Sequence, residues 1–534
     1  MTFLFLGRLG RKGFILVCLY RHIMKKFTRV KKINGIPYLY EITPYYDPET
    51  KKNKQHSRYL GKLVEGKAVK VRSRLPRSTY SYGEFIPVIH VLREQRIEEI
   101  LTKHMPEKDA RALLILAQNH VVRPLALYHI QSWYEGTVLS RIYPGVHLSS
   151  RSLSKLLGRI GESDLPMEFS REIIRELGTS STLVYDIPSL SSYSKLIKLL
   201  EYGYNRDGLD LPQVNLSLVV DKDLGIPIMY ALYPGSVVDV STLRNQLRML
   251  RALGVRNSML ILDRGFFSTP NLEELCLSDM NFIIPASFSL KQVKELISGI
   301  HRELEDPNLM QMDELEAIFV KPVTLGIGGL KVKGYAYYNP KRELKEKELF
   351  YRKLHEVVEK LKKVRIRRWM NPKDIVAQIA GKFSPYIKWR RVDKQFELEI
   401  KKKAVAQRVN RMGRFVLLYQ GELDWRECLA TYRSKDIVEK GFDMLKNELK
   451  LLPLNAQRDS TLKGLLFGFF LAQMLRMRIM KIIQEKELVS KYNLEGMLLE
   501  LEKIKKIELT DGVVLTSELT RKQREILDKM GLCA

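Results

Sequence analysis

The spacing of apolar and polar residues changes along the chain, and each change predicts a different element. Residues 36–45 and 56–63 are rich in Tyr, Ile and Leu and flank a polar stretch at 47–53, which predicts a β-hairpin with a basic tip. From Gly83 to about Leu177 the period becomes helical, with Leu113, Leu114, Leu116 and Ala117 recurring at helix spacing. Ser149 precedes a short basic stretch as a helix-capping residue would.

The pattern then turns to short, nearly continuous apolar runs. Residues 182–185, 214–220 and 226–232 read as three strands, followed by a helix over 240–253. The run Met259, Leu260, Ile261, Leu262 is a fourth strand, buried on both faces. A helix at 271–277 and a strand at 282–285 complete the order β, β, β, α, β, α, β. That order matches a ribonuclease-H-like core, an α/β fold in which carboxylates on the first and fourth strands lie side by side. A long insertion follows to about Trp425, with strand-like pieces at 332–338, 396–400 and 414–418 and a basic helix over 341–368. A helix is expected over about 425–450. The apolar run 465–475 is bounded by Lys463 and Arg476 and is too short to span a bilayer.

Charge narrows the class of partner. The 534 residues carry 90 Lys and Arg against 61 Asp and Glu, a formal charge of +29. An excess that large favours an extended polyanion, because each cation near a phosphate releases counterions. Nucleic acid is therefore the expected partner, and a soluble cytoplasmic, DNA-associated protein with no membrane partner is the expected setting. The helical region 81–178 is then either a helix-turn-helix reader of DNA or a plain bundle. The basic run ending at Arg367, Arg368 and Trp369, with Trp389 beyond it, fits either a solvated face or a groove in which aromatics stack on a base. Cys18, Cys276, Cys428 and Cys533 form no CxxC pair, and the nine histidines show no ligand spacing. Any metal would be held by carboxylates, which selects a hard ion such as Mg²⁺ or Mn²⁺.

Asp186 ends the first core strand and Asp263 the fourth, at the carboxyl edge where open α/β sheets place their chemistry. Asp186 alone could be a turn before Pro188, and Asp239 reads better as a helix cap. At about 100° per residue, Tyr432, Lys435, Glu439 and Lys446 fall in one arc of roughly 60° on the 425–450 helix. Val438, Phe442, Leu445 and Leu449 form the adjoining apolar stripe, so packing through them would aim Glu439 at the two aspartates. Three carboxylates can hold two divalent ions for phosphoryl transfer.

These residues resemble the DDE transposases of the insertion-sequence-four-like group, which carry a Tyr-x2-Arg-x3-Glu-x6-Lys signature. Here Lys435 stands in the Arg position, and Arg433 points about 120° away from Glu439 on the predicted helix. The stretches 185–194, 233–240 and 263–265 and the N-terminal hairpin are also similar to that family. The resemblance implies that Asp186, Asp263 and Glu439 are catalytic and hold two Mg²⁺ (or Mn²⁺), while Tyr432, Lys435, Lys446 and Arg264 contact DNA. It implies a prokaryotic enzyme that acts as a homodimer on double-stranded DNA, with transposon ends and target DNA as partners. The alternative is a catalytically inactive or domesticated DNA-binding derivative. The expected organisation is a misassigned start over 1–23, with Met24 beginning the protein, a hairpin region over 24–80 and a helical DNA-binding region over 81–178. The core then lies in two parts, 179–288 and 425–486, around an insertion domain over 289–424, with a helical C-terminal region over 487–534.

Overall fold

The computed structural model describes residues 25–69, 75–179, 182–187, 189–191, 197–203, 211–237, 239–278, 280–313, 316–435 and 458–533. The expected start over 1–23, Glu439, Lys446 and the apolar stripe at 438–449 lie outside them. The chain divides into two compact units, Met1–Thr79 with Ile507–Leu515, and Tyr80–Lys506 with Thr516–Ala534.

In the first unit, Phe27–Ile33, Ile36–Asp47, Lys52–Val64 and Lys67–Val69 form an antiparallel sheet in chain order. Two of its turns are two-residue loops, Asn34-Gly35 and Glu65-Gly66, with every φ positive. That conformation matches the twist of paired strands, and a glycine at the second position accepts it without strain. The third turn is organised by Asp47, whose carboxylate accepts from the backbone N–H of Glu49.

The second unit is built around one helix, Asp459–Glu485, which carries the apolar run seen in the sequence. Leu462, Leu466, Phe467, Leu471, Met474 and Leu475 are each fully or almost fully buried, and a helix apolar on all sides is a core helix. It packs against the helices Glu107–Val122 and Ser150–Glu162 and against the strand Ile226–Pro234. The approach to Ser150–Glu162 is close enough to need glycine: a Cβ on Gly464 would meet the Leu157 carbonyl oxygen at 1.9 Å. Ser149 caps that second helix, accepting from the Ser152 N–H. Arg476, buried in the same helical core, donates to the Val121 carbonyl at 3.1 Å, and burial pushes its pKa down to about 10. No helix among the described residues is long and apolar enough to cross a membrane.

One mixed sheet of ten described strands lies beside this helix. From one edge, the first five positions run Ile226–Pro234, Gln213–Asp221, Thr182–Asp186, Met259–Leu262 and Asn281–Pro285. Counted along the chain that order is 3-2-1-4-5. The first three are antiparallel, and the first, fourth and fifth are parallel. Ser189–Ser191 pairs with Gln213–Asn215 further along the second strand.

The segment 289–424 does two different things. Its strands Arg414–Gln420, Leu330–Tyr338, Glu316–Ile327 and Met310–Asp313 continue the same sheet beyond Asn281–Pro285. The rest has its own core, in which Phe350, Leu354, Leu361, Val376, Ile387 and Phe396 pack together. The basic helix there runs Pro340–Lys363, not to Arg368 as its charge pattern predicts. Val364 turns extended and Ile366 enters the small core, with its N–H on the Lys394 carbonyl. The two tryptophans also part company: Trp389 packs against Phe396 at 5.6 Å, whereas Trp369 is 75% exposed.

Glu84, at the start of the helix Phe85–Glu94, is almost wholly buried, and burial pushes its pKa up to about 7. Because the folded acid holds its proton where the unfolded one has lost it, stability falls as pH rises from about 4.5 through about 7. Glu84→Gln is expected to raise stability at pH 8 by up to about 3 kcal/mol and to flatten that fall. Denaturant unfolding at pH 5 and pH 8 checks it; an equal change at both pH values would contradict the assignment.

Candidate active site at a carboxylate-bearing sheet edge

The strand Thr182–Asp186 is apolar over Leu183, Val184 and Tyr185 and reaches a charged residue only at its last position. It pairs in parallel with Met259–Leu262, with Leu262 opposite Tyr185. The next residue on one strand is therefore level with the next on the other, so Asp186 and Asp263 stand side by side at the carboxyl edge. Tyr185 anchors this edge from below. Its ring lies 4.7 Å from that of Phe266, and its hydroxyl is 2.9 Å from the Thr242 hydroxyl.

Past Asp263 the chain makes a single 3-10 turn, Arg264–Phe266, closed by the Phe266 N–H on the Asp263 carbonyl. Phe266 is fully buried and its carbonyl accepts from Asn271 Nδ2 at 2.8 Å. The turn is thus pinned at one end while Arg264 and Gly265 face solvent. Asp186 Oδ1 accepts from the Ile187 N–H at 2.8 Å, which orients the carboxylate without removing its charge.

Of the helix expected over about 425–450, the described residues show Trp425–Arg433, opened by a capping box between Asp424 and Glu427. Cys428 and Leu429 are buried against Ile283, Val320, Tyr337 and Leu417. With Trp425 and Tyr432 they form an i, i+3, i+4, i+7 stripe that docks the helix on the sheet. The Tyr337 hydroxyl donates to the Trp425 carbonyl at 2.7 Å and the Tyr335 hydroxyl to the Leu423 carbonyl at 3.1 Å. Extension strands hold the helix start in place.

The helix ends at Arg433, Ser434 is still α-conformed, and the Lys435 N–H bonds the Tyr432 carbonyl. Lys435 is buried, its ammonium 3.1 Å from Asp263 Oδ1 and 4.9 Å from the centre of the Tyr432 ring. Arg433 points elsewhere, onto Asp313. The structure thus brings Asp186, Asp263, Tyr432 and Lys435 to one edge and leaves Arg264 exposed beside them.

The direct contact between Lys435 and Asp263 was not legible in the sequence, which places both near one site without pairing them. The docking stripe of Trp425, Cys428, Leu429 and Tyr432 could have been read from its spacing. Chemically, two adjacent carboxylates concentrate negative charge, and one ammonium offsets part of it. Asp263 keeps its side chain 38% exposed while that of Lys435 is only 10% exposed, so a solute reaches the acid and not its partner. Hard oxygen donors of this kind suit Mg²⁺ or Mn²⁺. No group of three or more His, Cys, Asp or Glu residues able to hold a metal occurs among the described residues.

Fold and site together define a mixed α/β protein whose parallel strands end in a pair of carboxylates. The chain belongs to the DDE transposases: the family described as the transposase DDE domain matches residues 187–475, more than half its length. The match begins one residue after Asp186 and includes Asp263, Tyr432, Lys435, Glu439 and Lys446. No curated protein matches the chain. Among solved structures it is similar to the cryo-EM structure of the piggyBac transposase synaptic complex with hairpin DNA, at 10% identity over 78% of each chain with a TM-score of 0.34. A superposition that loose carries nothing over to this protein.

Lys435 and a divalent ion would draw on the same carboxylate. Were Mg²⁺ held at this edge, Lys435→Met would increase the gain in unfolding temperature on adding it by about 1–2 °C over the parent. Thermal unfolding with and without Mg²⁺ reads this directly, and an unchanged rise would show that ammonium and ion do not compete.

Proposed function

We propose that this transposase binds the terminal inverted repeats of an insertion sequence and cuts and rejoins DNA by phosphoryl transfer, using a ribonuclease-H-like core. The observation that carries the reading is the register that aligns Asp186 with Asp263. The 3-2-1-4-5 strand order supports the same core, and the spacing of Tyr432, Lys435, Glu439 and Lys446 supports the insertion-sequence-four-like group.

In this reading Asp186, Asp263 and Glu439 would hold two Mg²⁺ or Mn²⁺. When bound, such ions activate the attacking oxygen and neutralise charge on the leaving one. The chain's own groups position the DNA. Tyr432, Lys446 and the exposed Arg264 contact phosphates next to the one that reacts, which fixes the strand without reading its sequence. Lys435 keeps the charge of the family's arginine and gives up its two-pronged geometry. Its ammonium, 3.1 Å from Asp263 Oδ1, balances part of the charge at that edge.

Beyond the edge, residues 340–412 carry 23 Lys and Arg against nine Asp and Glu. That small core supplies a cationic wall for duplex DNA, and Arg367, 5.4 Å over the exposed Trp369 ring, offers a base-stacking surface on it. Pairing of both transposon ends calls for a homodimer.

Glu439→Gln is expected to reduce strand cleavage by at least about 10³-fold while changing affinity for an element end less than about threefold. Parallel nicking and binding assays on duplex from the gene's flanks decide it. Equal loss of both would assign Glu439 a structural role.

A further inference from the structure

Most of the N-terminal sheet is four strands wide, but part of it is not. Phe27–Ile33 pairs with the second strand only as far as Ile42, and Lys67–Val69 pairs only with Lys62–Val64. From Thr43–Asp47 and Lys52–His56 outward, the hairpin is a two-stranded ribbon with no further strand beside it among the described residues. Every residue from 48 to 59 is exposed, and Tyr45 and Tyr46 are 47% and 56% exposed. An isolated ribbon of this kind is marginally stable by itself.

Its two faces differ. Directly opposed residues share a face, so Thr43, Tyr45, Asp47, Lys52, Lys54 and His56 line one side. The other carries Pro44, Tyr46, Asn53 and Gln55, followed by Ser57. The first is cationic, although the Lys54 ammonium is already bonded to Asp47. The second is neutral and polar. Around them, residues 25–69 hold 11 Lys and Arg against four Asp and Glu, a composition complementary to a polyphosphate.

The major groove of B-DNA is about 12 Å wide and admits a two-stranded ribbon, and Asn or Gln can bond both N6 and N7 of adenine. We propose that this ribbon enters the major groove of duplex DNA, with Asn53 and Gln55 toward the base edges and Lys51 and Lys52 on flanking phosphates. The inference rests on the transposase reading and adds to it the element that reads sequence. It moves that role from the helical region 81–178 to the hairpin. The opposite strand supplies Tyr46 beside Asn53, an apolar ring able to contact a thymine methyl.

The test uses the full-length protein and two fluorescent duplexes, one from the DNA flanking the gene and one of the same composition with scrambled sequence, titrated over a range of salt. Asn53→Ala with Gln55→Ala is expected to weaken binding to the flanking duplex about 5- to 150-fold, leaving the scrambled duplex and the salt slope unchanged. Lys51→Ala with Lys52→Ala is expected to weaken both duplexes alike and to make the log–log salt slope shallower by about 2. All four side chains are exposed, so neither variant should move the unfolding temperature. If the parent binds and both variants bind as it does, the ribbon is not the reader and the transposase reading stands. Equal loss on both duplexes in the Asn53 and Gln55 variant would also overturn the inference. A parent that binds neither duplex would overturn both readings.

Discussion

Parallel pairing of Thr182–Asp186 with Met259–Leu262 is the constraint from which the site follows. A parallel ladder carries both strands to the same edge of the sheet, so a polar residue ending each one meets its counterpart there. The apolar runs before the two aspartates bury both strands on both faces, and each run gives way to a carboxylate at the same level of the sheet. The two aspartates are level because Leu262 pairs with Tyr185 and each is the next residue on its strand.

A like-charged pair at one edge needs compensation, and the chain supplies it from a distance in sequence. The helix Trp425–Arg433 is docked by Cys428 and Leu429 and pinned by Tyr335 and Tyr337, so the turn after it delivers Lys435 to Asp263. The extension strands, which look like a detour between the second aspartate and the signature helix, therefore orient that helix. They also separate the charge of the molecule into regions. A small acidic edge sits in a unit whose excess of cations is concentrated over 340–412.

Much of this was legible in the sequence because it is local. The uninterrupted apolar run Met259–Leu262 and the mostly apolar run within Gln213–Asp221, broken by Asn215 and Ser217, identify buried strands, and Ser149 announces the helix that it caps. The apolar run at 465–475 sits in a core helix apolar on nearly every side. What was not legible depends on pairing between distant segments. Nothing near Arg414 shows that its strand lies beside Asn281–Pro285. Charge period alone carried the basic helix past Lys363, where Ile366 is claimed by a separate core. Trp369 and Trp389 look alike in sequence, and only packing separates an exposed ring from one held against Phe396.

Iron-directed backbone cleavage tests most directly the proposal that Asp186 and Asp263 would hold the same ion. With Fe²⁺ in place of Mg²⁺ and with ascorbate and peroxide added, hydroxyl radicals cut the chain beside the bound metal. The account predicts cuts near both residue 186 and residue 263, suppressed by excess Mg²⁺ and both lost in Asp263→Asn. Cleavage near one aspartate alone, or cuts near residue 186 that persist in that variant, would contradict it.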